Sequence, residues 1–68
     1  MKLKNVKVGQ SVKVKSTSST FIYKYIGAYG TVVSVEDSTY KGDLTVQVRF
    51  SDGDSDWGSH EDIKPVKP

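Results

Sequence analysis

Asp52, Asp54 and Asp56 are the first candidates for chemistry, because three carboxylates at alternate positions resemble the start of a cation-binding loop. Calcium loops flanked by helices present oxygens at relative positions 1, 3 and 5. The rest of that pattern fails. The sixth position needs glycine and holds Trp57, and the twelfth needs a bidentate glutamate and holds Ile63. Alternate positions on a β-hairpin give the same spacing with no ligand at all. His60, Glu61 and Asp62 offer proton acceptors side by side. No nucleophile with a partner base accompanies them, and no glycine-rich phosphate loop. The chain has no cysteine, which excludes disulfides and thiolate-held zinc. The expectation is a non-enzymatic protein with no catalytic residue, metal or cofactor.

A second set has binding chemistry. Lys13 and Lys15 share the outward face of one strand, and Lys24 is interleaved with Tyr23, Tyr25 and Tyr29. Arg49 faces outward on a later strand and extends the set. Cationic side chains neutralise phosphates, and tyrosine rings stack on unpaired bases. Lys13, Lys15, Lys24, Tyr25, Tyr29 and Arg49 are the expected nucleic-acid contacts. Asp52, Asp54 and Asp56, with Trp57 beside them, form an acidic hairpin that suits docking on a basic protein surface. They are the alternative protein-binding set.

Elements that position these residues are legible from alternation. Val12 and Val14 point one way while Lys13 and Lys15 point the other. Ser16-Thr17-Ser18-Ser19-Thr20 is a hydroxyl run that reads as a loop. Phe21–Ile26 reads as a short strand or the far arm of a long loop. Thr31–Val35 is the second clear strand, and the adjacent Val32 and Val33 force one outward or into a bulge. Residues 36–43 are a polar connection. Val46-Gln47-Val48-Arg49-Phe50 alternates cleanly in a third strand from Leu44 to Phe50. Ser51-Asp52-Gly53-Asp54 then turns the chain, since Asp-Gly between alternating segments is a strong hairpin signal. A return strand carries Trp57. Ser59 is placed to cap a single 3₁₀ turn over residues 59–62. Asp62-Ile63-Lys64-Pro65-Val66 closes the chain as a proline-broken edge strand. The expected core is Val12, Val14, Val32, Val35, Val46, Val48, Phe50 and Ile63, with Ile26 and Trp57.

Size and charge bound the rest. Sixty-eight residues make one domain over residues 1–68, ordered over about 6–66. A core that small supplies about 3–5 kcal/mol of net stability. Barrel closure suits it, because closure protects sheet edges. Residues 1–35 hold six lysines and no acid, whereas residues 36–68 hold eight acids against four cations. Such asymmetry points to a charged partner. Nothing approaches the roughly 20 apolar residues of a membrane span, and the lysine-rich start has no apolar run after it. We expect a cytoplasmic monomer with no membrane association.

Two resemblances agree on the fold. Ile26–Val35 resembles a KOW motif, with Gly27, Gly30, Val32 and Val35 at the matching positions, and Gly9–Val14 is similar to the first strand of such domains. The 15–25 segment is longer than the usual family loop. Val48-Arg49-Phe50-Ser51-Asp52-Gly53 and Asp62-Ile63-Lys64-Pro65-Val66 resemble the ending of Tudor domains. Both families are SH3-like barrels, so the resemblance implies an all-β, five-stranded SH3-like fold. KOW modules contact RNA, DNA or protein. Tudor domains read methylated lysine or arginine in an aromatic cage, here Tyr25, Tyr29, Phe50 and Trp57 with Asp52 or Asp54. The resulting expectation is a binding module. Nucleic acid is the leading partner, and a larger protein complex or a methylated peptide is the alternative.

Overall fold

A computed structural model describes residues 5–36 and 44–66. Lys2, Lys4, Lys41, Lys67 and most of the polar connection 36–43 lie outside the described residues. The domain is all-β, with strands β1 (Ser11–Val14), β2 (Tyr29–Val35), β3 (Val46–Phe50), β4 (Ser55–Gly58) and β5 (Ile63–Pro65). They pair antiparallel in the order β4-β3-β2-β1-β5. This order is compatible with the expected barrel. β4 and β5 stand at its two ends, and no ladder joins them among the described residues.

Each strand follows its alternation. Val12, Val14, Val32, Val46, Val48 and Ile63 are fully buried, and Phe50 is nearly so. Their neighbours Lys13, Gln47 and Arg49 take the other face. The adjacent valines of β2 are resolved by a register shift between Val32 and Ser34. Val33 is the extra residue and points out, 39% exposed. The β3–β4 turn needs a left-handed residue, and Gly53 supplies it at φ +88. Phe50 N–H donates to the Asp54 carbonyl at 2.8 Å, and Gly53 N–H donates to the Phe50 carbonyl at 3.0 Å. Ser59 caps the 3₁₀ turn His60–Asp62, its Oγ accepting from Glu61 N–H at 3.1 Å.

The segment before β2 takes the loop of its two expected forms. Tyr23–Tyr25 is a 3₁₀ turn and not a strand. A strand would place residues 21, 23 and 25 on one face. Instead Phe21 and Tyr25 are each 5% exposed while Tyr23 is 87% exposed. The turn packs both inward rings on Phe50: Tyr25 stacks on it at 3.8 Å and 7°, and Phe21 meets it edge-on at 6.3 Å. The interior place on β4 goes to Gly58, against which Phe21 packs, and not to Trp57. An added Cβ on Gly58 would lie 2.3–2.5 Å from three Phe21 ring atoms. Trp57 is half-buried opposite Gln47, while Val35 and Ile26 flank the core without being enclosed.

The hydroxyl run bridges the two ends of the sheet. One oxygen of Asp62, Oδ2, accepts from Thr20 Oγ1 at 2.6 Å, Ser18 Oγ at 3.1 Å, and the N–H groups of Ser19 and Thr20 at 3.2 Å. Thr20 Oγ1 accepts in turn from Ser59 N–H at 2.9 Å. On the β4 side, Asp56 Oδ2 accepts from Ile22 N–H at 2.8 Å. Residues 18–22 are therefore held by Asp56 of β4 and by Asp62 just before β5. Phe21 is driven into the core from this strap.

Candidate functional site

The acidic positions are occupied by the fold itself. Asp52 Oδ1 accepts from Asp54 N–H at 2.9 Å, and its Oδ2 accepts from the Tyr25 hydroxyl at 2.9 Å. Those two bonds, the backbone one first, hold the Asp52 carboxyl below the usual aspartate range. Asp56 and Asp62 are committed to the strap. Burial alone would raise the Asp62 pKa, but the hydrogen bonds from Thr20, Ser19 and Ser18 outweigh it and lower the pKa. Asp54 is exposed on the turn. Among the described residues, no three of His, Asp or Glu converge so as to hold a metal ion. His60 Nδ1 lies 2.8 Å from Thr45 Oγ1, so the ring is paired to Thr45, while the neighbouring Asp62 carboxylate serves the strap.

Tyr25 leaves the expected contact set. Its ring is stacked in the core and its hydroxyl is bound to Asp52, so it offers no face to a base. Burial first, then the Asp52 bond, pushes the phenol pKa up. Lys24 follows it, with Nζ 4.9 Å from the Tyr25 ring centroid. The Tyr25 hydroxyl, with smaller help from Asp52 and Asp54, raises the Lys24 pKa. The positive charge at Lys24 is thus partly answered within the molecule. The four aromatics of the expected cage are not gathered into one. Tyr25 and Phe50 lie parallel against each other, with no gap for an ammonium group, and Tyr29 is on the outer face.

What the sheet does gather is a different subset. Across β1 and β2, Lys13 stands opposite Tyr29 and Ser11 opposite Thr31. Across β2 and β3, Thr31 stands opposite Arg49. Across β1 and β5, Lys13 stands opposite Lys64. Lys64, Lys13, Tyr29, Thr31 and Arg49 therefore form one outward surface. Lys64 and Arg49 are exposed, Lys13 half-buried, and Tyr29 61% exposed. Lys13 Nζ lies over the Tyr29 ring, 5.3 Å from its centroid. No carboxylate occupies an outward position in β1, β5 or the paired stretches of β2 and β3. Like charges directly opposite one another, as Lys13 and Lys64 are, repel.

A cleft of about 430 Å³ opens on this surface, walled by Tyr29, Arg49 and Thr31. Gly30 contributes to its lining. A Cβ there would lie 2.5 Å from Val48 Cγ1 and 2.7 Å from the Arg49 carbonyl oxygen, so glycine is what lets β2 approach β3 this closely.

The expected set of six thus divides. Lys13, Tyr29 and Arg49 come together; Lys24 and Tyr25 pair with each other beside the hairpin; Lys15 follows β1, its N–H donating to the Asp62 carbonyl at 2.8 Å. Lys64 was missed by sequence reasoning. Alternation in Ile63-Lys64-Pro65 already points it outward, but its neighbour Lys13 depends on β5 pairing with β1, 51 residues back in the chain.

No protein-family model matches the sequence, and neither does any curated protein. Among solved structures, the fold is similar to the NMR structure of Bacillus subtilis protein YorP, with a TM-score of 0.78. The two are 17% identical, and the match covers 94% of this chain and 73% of that one. At that identity the likeness establishes the shared five-stranded fold.

Proposed function

We propose that this domain is a non-enzymatic binding module that holds nucleic acid on the outer surface of β5, β1, β2 and β3. The observation that carries the reading is the cross-strand register that sets Lys64 beside Lys13, Lys13 beside Tyr29, and Arg49 one strand further. Three cations and an exposed aromatic ring, on strands whose described outward positions carry no carboxylate, suit a polyanion that also carries π-faces. The KOW-like segment Ile26–Val35 is compatible with this reading, since KOW modules contact RNA, DNA or protein. Docking on a protein through the acidic hairpin has less behind it, because the Asp52 and Asp56 carboxylates already accept internal hydrogen bonds.

The test is oligonucleotide titration at several salt concentrations. Wild-type protein binds at about 50 mM salt, and affinity falls steeply towards about 200 mM. Replacing Lys13 and Lys64 together by alanine lowers the slope of log affinity against log salt by about 1.4 for a single strand. Absence of binding at low salt, or binding that ignores salt, refutes the reading.

A further inference from the structure

Building on the nucleic-acid reading, we propose that the cleft between Tyr29 and Arg49 is a slot for one unpaired base, so that the ligand is single-stranded nucleic acid. The volume of about 430 Å³ falls within the roughly 300–1,000 Å³ of small-molecule sites. Charge neutralisation alone does not call for such a cleft. Lysines on a flat face bind phosphates equally well.

The walls fit a base more closely than a phosphate. Tyr29 is 61% exposed, so much of its ring is open to a ligand. Stacking on a base is one of the strongest ways to cover it. Arg49 offers a planar guanidinium, which stacks on π-systems as lysine does not. Ser11, Thr31 and Ser51 add hydroxyls around the rim. A hydroxyl both donates and accepts, so the slot meets the edge of any base and the binding tolerates sequence. Lys13 and Lys64, alongside, take the phosphates that flank the base.

This geometry separates single strands from duplex. In a duplex both faces of each base are already stacked, so neither Tyr29 nor Arg49 reaches one. A purely electrostatic surface would instead favour duplex, whose charge density and counterion release are the greater. The order of the two affinities therefore reports on the slot.

The experiment measures, at about 50 mM salt, binding of three probes of about 12 nucleotides: oligothymidine, an abasic strand with the same number of phosphates, and a duplex. Oligothymidine is expected to bind about 5- to 150-fold more tightly than the abasic strand, and more tightly than duplex. Tyr29→Leu is expected to bring the thymidine-to-abasic ratio to within about twofold while leaving the salt slope unchanged. Equal affinity of wild-type protein for oligothymidine and the abasic strand overturns the base slot and leaves the electrostatic surface standing. Failure to bind any of the three overturns both.

Discussion

Asp62→Ala removes the group on which residues 18–20 converge. Four donors reach Asp62 Oδ2, the closest being Thr20 Oγ1 at 2.6 Å and the others at 3.1–3.2 Å. A hydrogen bond to a charged group is worth about 1.5–3 kcal/mol. Summing four such values would overstate the effect, because four donors share one oxygen and the site is only partly buried. We count the Thr20 hydroxyl bond at about 1.5 kcal/mol and the three longer ones at about 0.5 kcal/mol or less each. The loss is then about 2–3 kcal/mol, against the roughly 3–5 kcal/mol that holds a domain of this size. Urea denaturation followed through the fluorescence of Trp57, the only tryptophan, measures it. A thermal scan should show the midpoint falling by about 4–8 °C per kcal/mol. A double-mutant cycle with Thr20→Val should show coupling of about 1 kcal/mol, because the two side chains are direct partners. A loss under about 0.5 kcal/mol, or additive single mutants, would refute the view that this carboxylate holds the strap to the sheet.

Other outcomes follow from the same geometry. The Asp62 and Asp52 pKa values lie below the usual aspartate range, so the unfolded chain takes up these protons more readily than the folded one. Their contribution is complete above about pH 4–5 and is lost as pH falls through the depressed folded values. Stability should be flat from neutral pH down to about 5 and then drop, and Asp62→Asn should make the drop shallower in urea melts taken across that range. Gly58→Ala places a Cβ against the Phe21 ring and should cost about 1–3 kcal/mol with shifted Phe21 ring resonances; wild-type stability would show that the ring yields freely. Lys24→Ala should leave the salt slope of oligonucleotide binding unchanged, since Lys24 is engaged with Tyr25 near Asp52 and Asp54, whereas Lys13→Ala combined with Lys64→Ala should lower it.

How much of this was legible depends on the range of the cause. Alternation along Val46–Phe50, the Asp-Gly turn at 52–53 and the Ser59 cap each act over a few residues, so the sequence states them directly. The crowding of Val32 and Val33 likewise required one of them to face outward or sit at a bulge, because two successive side chains of one strand cannot share a face. Phe21 and Tyr25 show the limit. An aromatic, β-branched run fits a strand by composition, yet the three rings were sorted by what lay across the core. Phe50 offered a stacking partner and Gly58 left space, so 21 and 25 turned inward and Tyr23 outward.

The sequence by itself determined most of the strands and turns, most of the core valines and the outward places of Lys13 and Arg49. Tertiary structure decided which of those side chains meet. Lys13 gained Lys64 from the far end of the chain because β5 pairs with β1, and Tyr25 lost its place to the core because Phe50 stacks on it. Both outcomes rest on contacts between residues distant in sequence. Local pattern fixes the face a side chain takes, and only the register between strands fixes its neighbours on that face.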